Sequence, residues 1–192
     1  GELQRQGLAK RSVARALSAL RTFYRFLAVR HGVSVNPALA VRTPKLERRL
    51  PVLMDRNQVD ALFHSAETRA MGGGFRGTRD LAMLELFYGT GMRLSELAGI
   101  SLSDLDLVSD QVKVRGKGRK ERILPLGSRA VQALRAYHGE RQVLAHDVEQ
   151  GKADPRALFL SQRGRRLSVR GVQAIVRHML EGLADSAGLR VH

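Results

Sequence analysis

Two neighbouring segments carry most of the structural information: Gly89-Thr-Gly-Met-Arg-Leu-Ser-Glu-Leu97 and Val114-Arg-Gly-Lys-Gly-Arg-Lys-Glu-Arg-Ile-Leu-Pro-Leu-Gly127. In the first, Gly89-Thr90-Gly91 breaks an apolar helix that Thr78 is expected to cap and that carries Leu81, Leu84, Leu86, Phe87 and Tyr88. Met92 to Ala98 starts a new helical turn. The glycine turn aims Arg93 out of an apolar region at a helix start, where a guanidinium and helix-terminal amides together suit a phosphate. Glu96, three residues on, is placed to orient that guanidinium. The alternative is an ordinary Arg93–Glu96 surface pair of little energetic weight. In the second segment, Gln111–Arg115 and Arg122–Leu126 read as short strands joined by Gly116-Lys-Gly-Arg-Lys-Glu121, a glycine-rich basic hairpin. Lys117 stands at its tip, flanked by Arg115, Arg119, Lys120 and Arg122. Clustered cations lower a lysine's proton affinity and make it a better proton donor. A solvated basic turn that touches nothing is the alternative.

Outward from these segments the pattern is mainly α with small β elements, an α+β class. Asp55-x-x-Gln58 predicts a capping box for a helix to about Ala66. Met71-Gly-Gly-Gly-Phe75 reads as a flexible loop. A long helix is expected from Ser128 to about Ala145, a further strand at Ala157–Leu160, and a helix capped by Ser168 to about Leu183. Near the start, Ser12 is expected to cap a helix to about Val29. Val13, Leu17, Leu20, Tyr24 and Leu27 form one face of it, and Arg11, Arg15, Ser18, Thr22 and Arg25 the opposite face. No acidic residue lies between Ser12 and Arg30, so phosphate contact is favoured over an ordinary solvated face. Asn36-Pro37 opens another short helix or turn. Prolines at 44 and 51 bracket a charged run and predict an extended linker. The expected organisation is a partial helical DNA-binding domain over 1–43, a linker over 44–53 and a larger domain over 54–192.

The chain has 192 residues, 43% of them apolar, enough for one ordinary domain and a small one. Its 33 basic and 18 acidic residues give a net charge of +15. Residues 1–53 carry 11 basic against 2 acidic side chains, so the first quarter holds more than half the excess. Such a surplus opposes compaction unless an anion neutralises it, and nucleic acid is the leading partner. Arginine far outnumbers lysine, which fits phosphate recognition by guanidinium forks but also a GC-rich genome. With no cysteine, thiol nucleophiles, disulfides and cysteine-based zinc sites are excluded. No run of about 18 apolar residues exists to span a membrane, and a cytoplasmic setting is expected. The first residues lack an initiator Met and a signal-peptide core, so the chain is expected to start inside a longer protein.

From Phe87 to Leu107 and from Val114 to Gly127, with the Arg-rich first helix, Asn36-Pro37, Leu50-Pro51 and Phe159-Leu-Ser-Gln-Arg-Gly-Arg-Arg-Leu-Ser168, the chain resembles the tyrosine recombinases of the phage-integrase family. Within them it is similar to the Xer type and XerC-like. The resemblance covers nearly the whole chain. It implies a partial core-binding domain followed by an incomplete catalytic domain. The family's catalytic order is Arg, Lys, His-x-x-Arg, His or Trp, Tyr, which makes Arg93 the first arginine, Lys117 the hairpin lysine and Glu96 a supporting residue. The remainder should follow Ala187–His192. His192 is read as lying just upstream of His-x-x-Arg, and Tyr24, Tyr88 and Tyr137 as core or surface residues. On this reading the chain is cut at both ends and is inactive by itself.

The resemblance further implies site-specific breakage and rejoining of DNA through a 3′-phosphotyrosyl link, without metal or other cofactor, most simply in chromosome-dimer resolution. Arg11, Arg15, Ser18, Thr22, Arg25, Arg115, Arg119 and Lys120 would contact the duplex, the two domains closing on it about residues 44–51. Implied partners are the double-stranded recombination site, further recombinase subunits in a four-protomer synapse, a XerD-like partner among them, and a DNA translocase; no membrane is involved. The rival reading is a non-catalytic DNA-binding accessory protein or regulator that kept the fold.

Overall fold

Helix boundaries along the chain are set by groups a few residues away, by side-chain caps at some ends and by the backbone at others. In the computed structural model, which describes residues 7–46, 54–116, 118, 120–148 and 153–187, the chain forms two compact units, residues 1–53 and 54–192.

The first unit is built on helix α1 (Lys10–His31). Ala9 occupies its N-cap without a side-chain bond, so Ser12 lies inside the first turn and is not the cap. The amides of Ser12 and Val13 are satisfied by the Ala9 carbonyl, which leaves a hydroxyl cap nothing to do. Gly32 ends the helix in the left-handed conformation. Asn36 then caps a single 3₁₀ turn, Pro37–Leu39, its Oδ1 accepting from the Ala38 amide at 3.1 Å. That turn packs on α1, in which Leu17 is buried, whereas Leu20, expected on the same face, is 48% exposed. Val13, Leu17, Tyr24 and Leu27 keep the expected face covered, and the covered stripe also takes in Arg21. Its guanidinium donates to the carbonyls of Ala38 and Val41 and to the Thr43 hydroxyl. The linker residues 47–53 lie outside the described residues.

In the second unit, helix α2 (Arg56–Met71) starts at the expected reciprocal box: Asp55 accepts from the Gln58 amide at 2.8 Å and Gln58 from the Asp55 amide at 2.9 Å. It runs five residues past the expected end, to the glycines. These form a three-residue connection to helix α3 (Phe75–Thr90), with Gly73 at φ 76° and Gly74 at φ 89°. Thr78 therefore does not cap α3. Gly74 is the N-cap, and the buried Thr78 hydroxyl donates back to the Gly74 carbonyl. Gly91, at φ 60°, ends α3, and a short helix α4 (Leu94–Gly99) follows.

A 3₁₀ turn at Leu102–Asp104 leads into a three-stranded antiparallel sheet of β1 (Leu105–Asp106), β2 (Gln111–Arg115) and β3 (Glu121–Pro125), in that order. Val112 faces Leu124 and Arg115 faces Glu121, the last pair before the hairpin turn. Pro125 is accommodated because β3 is an edge strand. Helix α5 (Ser128–Asp147) follows, and helix α6 (Val169–Ala187) begins where the Ser168 hydroxyl accepts from the Gly171 amide. Ala157–Leu160 is not a strand. It contributes isolated bridges, Ser101 to Ala157 and Leu160 to Arg166, because its buried side chains come in an unbroken run and its backbone finds only single partners.

Helix α3 lies between α2 and α5, and α6 packs on α2 and α4. Met83, Leu86, Leu97, Val112, Val114, Leu134, Leu158 and Val172 form the core around the fully buried Tyr137. The Tyr137 hydroxyl donates to the Leu158 carbonyl at 3.1 Å and accepts from the Leu160 amide at 3.0 Å. Gly77 marks the closest approach of α3 to α2: a Cβ there would lie 2.8 Å from the Arg69 carbonyl carbon and 3.1 Å from the Ala70 Cα. Alanine ordinarily stabilises a helix by about 1 kcal/mol over glycine. Here Gly77→Ala is expected to destabilise the protein by about 1–3 kcal/mol, since backbone cannot yield as a side chain does. Denaturant unfolding checks the sign.

Candidate active site

Gly91 ends α3 and Met92, 2% exposed, anchors the turn in the core. Leu97 is buried on the far side, so Arg93 at the N-cap of α4 points outward with 71% of its side chain exposed. The turn offers the guanidinium first of all. The Arg93 amide is taken by Glu96 Oε2 at 2.7 Å, and the Glu96 and Leu97 amides by the Arg93 carbonyl. These three amides are therefore spent.

Glu96 does orient Arg93, through Oε1 to Nη1 at 3.1 Å. It is not, however, a surface partner: its side chain is 2% exposed. Its stronger partner is Arg122 of β3, which donates from Nη1 to Oε1 at 2.7 Å and from Nη2 to Oε2 at 2.9 Å. Hydrogen bonding from Arg122 outweighs the opposing cost of burial, and with Arg93's help holds the Glu96 carboxyl down at about 2. Because this value lies below the ordinary 4.5, the stabilisation is complete above pH 4.5 and disappears as pH falls from there towards 2. Thermal melts of Glu96→Gln should accordingly show a lower Tm than wild type at neutral pH but a flatter decline between pH 4.5 and 2. Parallel declines in that window would remove Glu96 as the titrating group.

The far end of α4 is also clamped. Arg166 Nη1 donates to the carbonyls of Gly99 and Ile100 at 3.1 and 2.8 Å, and its Nη2 to the Ser101 hydroxyl. Buried Asp104 accepts from the Ser101 amide and from Arg115 Nη2 at 3.0 Å. Arg115, expected on DNA, thus sits in two ion pairs, the second with Glu121 at 2.8 Å. The sheet leads to a turn at whose root the Gly116 amide donates to the Lys120 carbonyl. Gly118 adopts φ 75° and Lys120 is exposed. Lys117 and Arg119 lie outside the described residues, as does His192.

In the first unit, Arg11, Arg15, Ser18, Thr22 and Arg25 are all exposed on α1. Thr22 spends its hydroxyl proton on the Ser18 carbonyl. Tyr24 is half-buried and Tyr88 exposed, while Tyr137 is sealed in the core, where burial pushes its phenol up. No group of three His, Asp or Glu that could hold a metal ion occurs among the described residues, and none of their helices is long and apolar enough to cross a membrane. Sequence reading missed Arg122 and Arg166 as organisers of α4. Neither has a local signal, since their partners lie in distant segments.

Residues 53–192 match the phage integrase family, and residues 1–31 the phage integrase N-terminal SAM-like domain. The chain is 38% identical over 192 residues to tyrosine recombinase XerC of Bacillus subtilis, covering 100% of this chain and 60% of that protein. It is 41% identical over 192 residues to tyrosine recombinase XerC of Pelotomaculum thermopropionicum, covering 99% and 61%. The solved structure of the Tn1549 transposon integrase with transposon right end DNA superposes with a TM-score of 0.70 at 18% identity, covering 96% of this chain and 62% of that one, a likeness of fold. The chain thus spans about three-fifths of the length of these relatives. With an outward arginine on a clamped short helix beside a basic hairpin, and relatives matched along its whole length, the chain belongs to the phage integrase family.

Proposed function

We propose that this chain is part of a tyrosine recombinase of the Xer type, which breaks and rejoins DNA at a specific site through a 3′-phosphotyrosyl intermediate. The observation that carries this reading is the exposed Arg93 guanidinium, held by a buried carboxylate and free on its outer edge. Such a group neutralises a scissile phosphate and stabilises the more anionic transition state. A tyrosine oxygen supplied by the whole protein attacks phosphorus, the bond to the 5′-oxygen breaks, and Lys117 gives that oxygen its proton. In the second half the freed 5′-hydroxyl of the partner strand attacks the phosphotyrosine and the phenol regains a proton. Phosphodiester energy is kept in the covalent link throughout.

The cations of α1, with Lys120 and Arg119 at the hairpin, hold the duplex backbone. Arg115 acts chiefly as a strut, given its two ion pairs. The working assembly is four recombinase protomers on two DNA sites, with a XerD-like subunit and a DNA translocase as partners in chromosome-dimer resolution in the cytoplasm.

The full-length protein, given a duplex carrying its own recombination site, should yield a DNA-linked band on a denaturing gel. Duplex binding without any covalent band would overturn the enzymatic reading in favour of an accessory DNA-binding role. Residues 1–192 alone should bind duplex with an affinity that falls steeply with salt. Salt-insensitive binding would remove the phosphate contacts.

A further inference from the structure

The Glu96 carboxylate is shared between two elements. Oε1 accepts from Nη1 of Arg93 and Nη1 of Arg122, and Oε2 from the Arg93 amide and Nη2 of Arg122. Each oxygen thus holds one group from α4 and one from β3, with almost no solvent access. Arg122 is the residue after Glu121, whose Cα partner Arg115 closes the ladder before the hairpin turn. The turn's first residue rests on this pair: a Cβ at Gly116 would meet Glu96 Oε1 at 3.4 Å and Arg122 Nη1 at 3.7 Å. A guanidinium whose fork is closed on a buried carboxylate has little left with which to grip a phosphate. It is, however, well suited to fixing where a strand lies, because a bidentate pair sets orientation as well as distance.

We propose that Arg122 is a positioning residue, whose bidentate bond to Glu96 docks the root of the β2–β3 hairpin on the Arg93 helix and so sets where the hairpin presents its proton donor relative to the phosphate. The inference rests on the roles proposed above for Arg93 and Lys117, and adds the part that couples them. One carboxylate keeps phosphate neutralisation and leaving-group protonation in register, although the two residues come from different elements. A transition state that needs both charges placed to within about 0.5 Å requires such a support.

The test uses the full-length protein and paired duplex substrates, one with the normal 5′-oxygen at the scissile bond and one with a 5′-bridging sulfur, which leaves without protonation. Arg122→Met is expected to slow single-turnover cleavage of the oxygen substrate by roughly 10- to 100-fold, a weakened rather than deleted general acid. On the sulfur substrate it should come back to within about threefold of wild type, as Lys117→Ala does, while Arg93→Ala stays slow on both. Duplex affinity and its salt dependence should be unchanged. Arg122→Lys, which keeps the charge but not the fork, should fold and show a smaller defect with the same sulfur rescue, which covers the case of an unfolded Met variant. Rescue of Lys117→Ala without rescue of either Arg122 variant overturns the positioning role alone. A lower affinity with a salt slope reduced by about one would make Arg122 a phosphate contact instead. If Lys117→Ala is itself not rescued, the proton-donor reading falls and the positioning proposal falls with it.

Discussion

Arg93→Ala is expected to reduce strand cleavage by the full-length protein about 10³-fold or more, the range seen when a fixed transition-state charge is removed. Duplex affinity should fall no more than about threefold, because one phosphate contact among many is lost. The asymmetry has a structural basis. Arg93 is 71% exposed and lies outside the core, so its removal leaves no internal cavity. Glu96 is not stranded either, since both of its oxygens remain bonded to Arg122. The variant should therefore fold normally and bind DNA while failing in chemistry. Single-turnover cleavage together with a gel-shift titration checks this. Cleavage near the wild-type rate would remove Arg93 from the reaction, and an equal loss of binding would make it a docking residue only.

Arg141→Met should be the most damaging change for stability, costing about 2–4 kcal/mol. Arg141 is 5% exposed and donates from Nε and Nη2 to the Ala157 carbonyl at 3.1 and 2.8 Å and from Nη2 to the Asp154 carbonyl at 2.9 Å. Methionine fills much of the volume but leaves these carbonyls facing an apolar side chain, and each unsatisfied buried acceptor costs about 1–3 kcal/mol. The damage should spread. Ala157 bridges Ser101, the Leu158 amide donates to the Ile100 carbonyl, and the Leu102 amide donates to the Arg156 carbonyl. The segment that Arg141 holds is therefore the floor on which the end of α4 rests. A drop in Tm of roughly 5–15 °C is expected for a chain of this size. A melt indistinguishable from wild type would mean that these carbonyls find water instead.

Besides the ion-paired Arg115 and Arg122, the basic surplus that first pointed to nucleic acid contains two opposite kinds of arginine. Arg11, Arg15, Arg25 and Arg93 are exposed and offer charge to solvent or a ligand. Arg21, Arg141 and Arg166 are turned inward and spend most of their donors on carbonyls of loops and turns, and Arg79 divides its own between the Asp80 carboxylate and the Leu160 carbonyl. Composition counts the two kinds alike. Of these, only Arg21 betrays itself in the pattern, standing four residues after Leu17 and three before Tyr24, on the packing face of α1.

Most features that depend on groups a few residues apart are legible in the chain alone. The Asp55–Gln58 box, the Asn36 and Ser168 caps, the break at Gly91 and the Arg93–Glu96 pair are all settled by chemistry within one turn of chain, and the hairpin strands by alternation about a glycine-rich turn. Where a nearer backbone group met the same need, as Gly74 and Ala9 do at the starts of α3 and α1, the expected hydroxyl caps at Thr78 and Ser12 were displaced. It took packing between distant segments to give Glu96 first to Arg122, to close the end of α4 with Arg166 and to set Arg141 under the floor beneath it. Those partners lie 26, 66 and 16 residues apart in the chain. A guanidinium reaches any carbonyl or carboxylate that packing brings within 3 Å, and neither residue type nor periodicity encodes which one that will be.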